Sequence, residues 1–146
     1  MARIFHLVFS SCALVATTLA FGQTPSVMRD LDALRPVTLS KEELTKLLPD
    51  ANMSRLNAKG DAQRWKNDSS GKFIISSDNR AIGGGNSSTQ GKWNISDDGR
   101  YCVLIEWRSV PAEEWCRYIV KAGDAYYGTK SDKSGTERVY RLEISK

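Results

Sequence analysis

Gly91–Arg117 reads G-K-W-N-I-S-D-D-G-R-Y-C-V-L-I-E-W-R-S-V-P-A-E-E-W-C-R. Apolar side chains alternate along Tyr101, Val103, Ile105 and Trp107, the period of a strand with one face in a core. Asp98-Gly99 supplies the positive φ of a tight turn, and Pro111 interrupts the run before a second strand from Glu114. Placing Cys102 opposite Cys116 pairs Val103 with Trp115, Ile105 with Glu113 and Tyr101 with Arg117. The faces then conflict, because Cys116, Tyr118 and Val120 are at least as apolar as Trp115, Arg117 and Ile119. A one-residue slip exchanges the faces of a strand. Two solutions stay open: a bulge near Pro111, or a sheet covered on both sides.

Upstream, the same plan occurs once more. Gly71-Lys72-Phe73-Ile74-Ile75-Ser76-Ser77-Asp78-Asn79-Arg80 matches Gly91–Arg100 at six of ten positions. Each copy places an aromatic and an isoleucine two apart, then Asp-Asn or Asp-Gly for a two-residue turn. Two copies make a meander and not a solenoid. Gly83–Gln90 between them is a flexible loop; it lacks the Lys-Ser/Thr ending of a phosphate cradle.

Further strands are expected at Asn52–Asn57 and Ala62–Lys66, flanking a Lys59-Gly60-Asp61 turn, and at Arg100–Arg108, Glu114–Lys121, Ala125–Thr129 and Thr136–Ile144. One short helix precedes them. Ser40 is its N-cap, Glu43 completes a capping box, Leu39 and Leu44 form a staple, and Pro49 ends it. Its leucines Leu44, Leu47 and Leu48 need a sheet to bury them. The expected fold is mainly β: an antiparallel meander forming a curled sheet or small barrel, with one short N-terminal helix. Residues 39–146 make a single β-rich domain, and 23–38, with Pro25 and Pro36, reads as an extended lead-in.

The first residues point to export. Arg3 precedes an apolar run from Ile4 to Ala20 that closes on Thr18-Leu19-Ala20, the pattern of a signal peptide spanning 1–22 and cleaved near Ala20 or Gly22. A membrane anchor is the alternative, with a run rather short for a span; Cys12 lies too deep in it to be a lipid acceptor. The expected location is periplasmic or secreted, with no membrane span after processing. Cleavage removes Cys12 and the single histidine, His6, and leaves Cys102 and Cys116 to form one disulfide. A mature chain without histidine or free thiol excludes Ser-His-Asp and Cys-His nucleophiles and His-containing zinc sites. No catalytic residue, metal or cofactor is expected.

Loss of Arg3 leaves 20 basic against 17 acidic residues, too mild and too dispersed a charge for a nucleic-acid groove. Two acid pairs exist. Asp97-Asp98 sits where a turn wants Asp, and Glu113-Glu114 at a strand start. They are the one route to hydrolysis, as a glycoside-type carboxylate pair. Asp78, Asp97 and Asp98 lack calcium-loop spacing.

Aromatics are the better lead, because Trp and Tyr faces suit sugar rings and apolar ligands. Trp107, Tyr127, Trp93 and Tyr101 are the ligand-binding candidates. Trp107 and Tyr127, near strand ends, are expected to be exposed, while Trp93, Tyr101 and Trp115 read first as plain core.

A short leucine-rich helix, then G-x-W-x-I-x-x-D-G-R-Y-C, W-C-R-Y and Gly-Asp-Ala-Tyr-Tyr, resembles the bacterial exported proteins grouped as domain of unknown function 995. The likeness spans Leu39 to Tyr127, with Trp93, Gly99, Cys102 and Cys116 in the expected order. It implies compartment and fold and is silent on activity. The expected function is therefore non-catalytic binding of a small molecule, glycan or envelope protein. One alternative is an inhibitor-like interaction protein acting through exposed loops such as Gly83–Gly91 and Ser109–Glu114; the other is a hydrolase using the paired acids.

Overall fold

The computed structural model describes residues 24–108 and 110–146; the expected signal segment lies outside them. Strands β1 (Val37–Thr38), β2 (Asn52–Leu56), β3 (Ala62–Lys66), β4 (Lys72–Ser77), β5 (Ser87–Ile95), β6 (Tyr101–Ile105), β7 (Glu113–Ala122), β8 (Ala125–Thr129) and β9 (Val139–Ser145) pair antiparallel. The order runs β7-β6-β5-β4-β3-β2-β9-β8, and β8 returns to β7. Eight strands thus close a barrel, which removes the sheet edges. The two-residue β1 adds to the free flank of β7, Val37 opposite Lys121.

Inward positions alternate as the pleat requires. Met53, Trp65, Phe73, Ile75, Tyr101, Val103, Ile105, Trp115, Ile119 and Leu142 fill the interior. Helix α1 (Lys41–Leu47) stops one end with Leu44 and the adjoining Leu48, both fully buried. Its capping box is complete: Ser40 Oγ accepts from the Glu43 N–H at 3.2 Å, and the Glu43 carboxylate accepts from the Ser40 N–H at 2.8 Å. Lys41 Nζ ties it to Asp97 at 2.9 Å.

The Cys102–Cys116 bond joins directly opposed residues, Cα atoms 4.0 Å apart, and the register is Tyr101–Arg117, Val103–Trp115 and Ile105–Glu113. No bulge interrupts this ladder. The face conflict is resolved by cover on both sides. Trp115 and Ile119 point into the barrel, whereas Val120 and Ala122 point outward into a second cluster with Met28, Leu31, Tyr127 and Val139.

That outer layer corrects the lead-in reading. Met28–Leu34 is a 3-10 helix, with Leu31 fully buried. The Asp30 carboxylate starts it by accepting from the Ser26 and Val27 N–H groups at 2.9 and 3.0 Å. Only Val37–Thr38 beyond it is extended in a ladder.

The repeated plan differs from expectation at its turns. Gly99 (φ 77°) and Asn79 (φ 49°) do take positive φ. The second copy, however, closes through a three-residue loop, Ser96 N–H to Arg100 O at 2.9 Å. In the first copy, Asn79 opens a 3-10 turn, Arg80–Ile82, inside the 78–86 loop. Gly91 pairs with Phe73. A Cβ there would stand 2.1 Å from the Phe73 ring, so the ring occupies the space that glycine leaves.

Candidate functional site

The barrel's two ends differ in chemistry. The α1 end is apolar apart from one closed network. Trp65 Nε1 donates to Tyr101 Oη at 3.1 Å, Tyr101 Oη donates to Asn67 Oδ1 at 2.8 Å, and Asn67 Nδ2 donates to Leu48 O at 3.2 Å. Burial pushes the Tyr101 phenol well above the usual tyrosine range.

At the opposite end the inward positions turn polar. Arg55 and Gln63 oppose each other on β2 and β3, and Ser77 follows on β4. Arg55 Nε donates to Gln63 Oε1 at 2.9 Å, its Nη2 is ion-paired with Glu113, and its guanidinium carbon lies 4.7 Å from the Trp115 ring centre. The Trp115 indole N–H is buried without a hydrogen-bond partner among the described residues.

Two strands open this end. Residues 113–117 of β7 pair with β6 but 118–122 with β8, and 139–142 of β9 pair with β8 but 143–145 with β2. Among the described residues, no ladder joins the first halves of β7 and β9 to strands across the gap. Arg117 and Tyr140 stand there. Arg117 Nη1 donates to Cys116 O at 2.8 Å, and its guanidinium is 5.9 Å from the Tyr140 ring. Loss of hydration lowers the Arg117 pKa from the ordinary arginine value, and the Arg55 charge acts in the same direction while Tyr140 and Glu137 oppose it. Tyr140 is 42% exposed.

Loops 57–61, 78–86 and 130–138, with residues 106–108 and 110–112, rim this end. Asp61 Oδ1 accepts from the Ala81 N–H and Asp78 Oδ1 from the Ala62 N–H, both at 2.8 Å, which locks the first two loops together. The rim exposes apolar side chains: Leu56 at 60%, Ile82 at 80% and Val110 at 54%.

The four aromatic candidates are not gathered in one place. Tyr101 is fully buried with its hydroxyl engaged, and Tyr127, expected to be exposed, is 2% exposed beneath the 3-10 helix. Trp93 is half-buried near the α1 end, Nε1 donating to Asp68 O at 2.9 Å. Trp107 is half-buried and packs against the core from the rim side. The acid pairs are divided as well. Glu113 faces Arg55 while Glu114 is exposed on the outer wall; Asp97 binds Lys41, and Asp98 binds Arg100 at 2.8 Å. Among the described residues, no three His, Cys, Asp or Glu side chains gather to hold a metal ion. Arg55 and Tyr140 were not among the site candidates read from the sequence, and Arg117 entered only as the ladder partner of Tyr101, although polar residues at inward positions of apolar strands were the available signal.

Two open depressions of about 350 Å³ each lie on the outer wall, one along Asn52, Ser54, Arg64 and Glu143, the other between α1 and the Asp97–Gly99 turn. A family model described as Protein of unknown function (DUF995) matches residues 22–141. No curated protein and no solved structure matches the chain.

Proposed function

The chain belongs to the DUF995 family, and from that premise we propose an exported, non-catalytic binding domain that engages a partner protein through the rim at the open end of its barrel. The observation carrying this reading is the rim itself. Leu56 at the end of β2, Ile82 and Val110 come from three separate places along the chain at one end of the barrel, each more than half exposed. Clustered exposed apolar residues with a polar surround are the usual mark of an interaction surface. The disulfide is compatible with an oxidising compartment, and no described helix is long and apolar enough to cross a membrane.

The test is capture from an envelope fraction with immobilised protein, comparing wild type, Ile82→Asp with Val110→Asp, and Ile74→Asp, which is equally exposed but on the barrel wall. The rim variant should lose a defined partner by about tenfold or more, with its melting temperature unchanged, and Ile74→Asp should retain it. Equal capture by all three, equal loss by both variants, or no saturable partner at all would sink the proposal.

A further inference from the structure

Inside the mouth, and independently of any partner at the rim, we propose a binding site for a small aromatic carboxylate, held by Arg117 against Tyr140. Direct ion pairs at this end do not balance. Arg55 and Arg117 contribute two cations; Glu113 is already paired with Arg55, and Glu137 on the rim loop acts on Arg117 only from beyond salt-bridge distance. Arg55 is further occupied by Gln63 and by the Trp115 face. Arg117 has no ion pair among the described residues and spends one N–H on the Cys116 carbonyl.

A half-buried guanidinium without a direct ion pair loses hydration that a distant carboxylate and one backbone carbonyl repay only in part. Its remaining N–H groups form a planar fork, the geometry that a carboxylate matches with two parallel hydrogen bonds. Hydrogen-bond donors are in surplus nearby too, since the buried Trp115 indole N–H is also unanswered. An acceptor-only guest suits this interior better than a sugar, which brings donors of its own.

The aromatic part of the assignment rests on Tyr140. Its ring is accessible and lies beside Arg117, so a flat apolar body attached to the carboxylate can stack or pack on it. Gly128 makes room on the same wall: the Arg117 stem passes 3.4 Å from where a Cβ would be. A Cβ there would be in ordinary contact with both the Arg117 stem and the Leu142 side chain.

Benzoate is the probe, with neutral benzamide and inorganic phosphate as comparators, read by tryptophan fluorescence and by the NMR shifts of the Trp115 and arginine N–H signals. Benzoate should bind saturably and at least about tenfold more tightly than benzamide or phosphate. Arg117→Gln should abolish that preference while leaving the melting temperature of the unliganded protein unchanged. Arg117→Lys, which keeps the charge but not the fork, should recover only part of it. Equal binding of benzoate and benzamide, tighter binding of phosphate, wild-type affinity in Arg117→Gln, or no benzoate binding by about 10 mM would each overturn the assignment. If Arg117→Gln melts early, Tyr140→Leu replaces it, and unchanged benzoate affinity there has the same consequence.

Discussion

Tyr101 has the largest fully buried side chain of the barrel, and its hydroxyl is the middle of the Trp65–Tyr101–Asn67 relay. A buried hydroxyl with both a donor and an acceptor contributes about 1–2 kcal/mol net, so Tyr101→Phe should cost about that much at neutral pH. The cost should depend on alkalinity in a defined direction. Burial raises the folded-state pKa above the unfolded value. Below pH about 10 both states keep the proton and the contribution is complete. Above it the unfolded chain ionises first, and the wild type loses stability that the Phe variant never had. Urea denaturation near pH 7 and near pH 11 should show the two proteins converging; parallel loss would contradict the burial argument. An aromatic at position 101 was readable as core or site. Its engagement was not, because Asn67 is far from it in sequence and only the fold brings the amide to the phenol.

The β6–β7 hairpin shows what an element can and cannot announce about itself. Matching two cysteines across a ladder offered one register, since a direct cross-strand pair sets every other pair, but a bulge near Pro111 stayed open until the ladder was seen. The direction in which its second strand buries did not follow, because Ile119 and Val120 are both fully buried, on opposite faces. One strand serving two cores has no single period to read. The disulfide fastens strands that five residue pairs already join. Reduction under native conditions should therefore leave the far-UV strand signal intact. In denaturant it should lower stability by about 3 kcal/mol, the chain-entropy value for a loop of this size. Loss of the strand signal on reduction, or no change in denaturation midpoint, would show that the bond plays another part.

At the scale of the molecule, the barrel is stopped at one end by α1, wrapped along one wall by the Met28–Leu34 helix, and open where β7 and β9 change partners. The wrap makes a prediction. Leu31 is fully buried among Val120, Ala122, Tyr127 and Val139, and truncating such a leucine costs about 2–5 kcal/mol. Leu31→Ala should lower the melting temperature and expose the 24–36 segment to limited proteolysis before the barrel is cut; simultaneous cleavage of both would mean that the layer is not separable.

Alternation, turn chemistry and the capping box determined most of the strands, the helix and their antiparallel meander, because each is decided by residues close in sequence; the cysteine pair offered a hairpin register but left its faces in conflict. Tertiary structure alone decided that the sheet closes, that Tyr127 lies beneath a 3-10 helix, and that Arg55, Glu113, Arg117 and Tyr140, from three strands, lie at one opening. Closure and convergence are sums over many weak long-range contacts, and no local pattern of residues encodes where such a sum places a side chain.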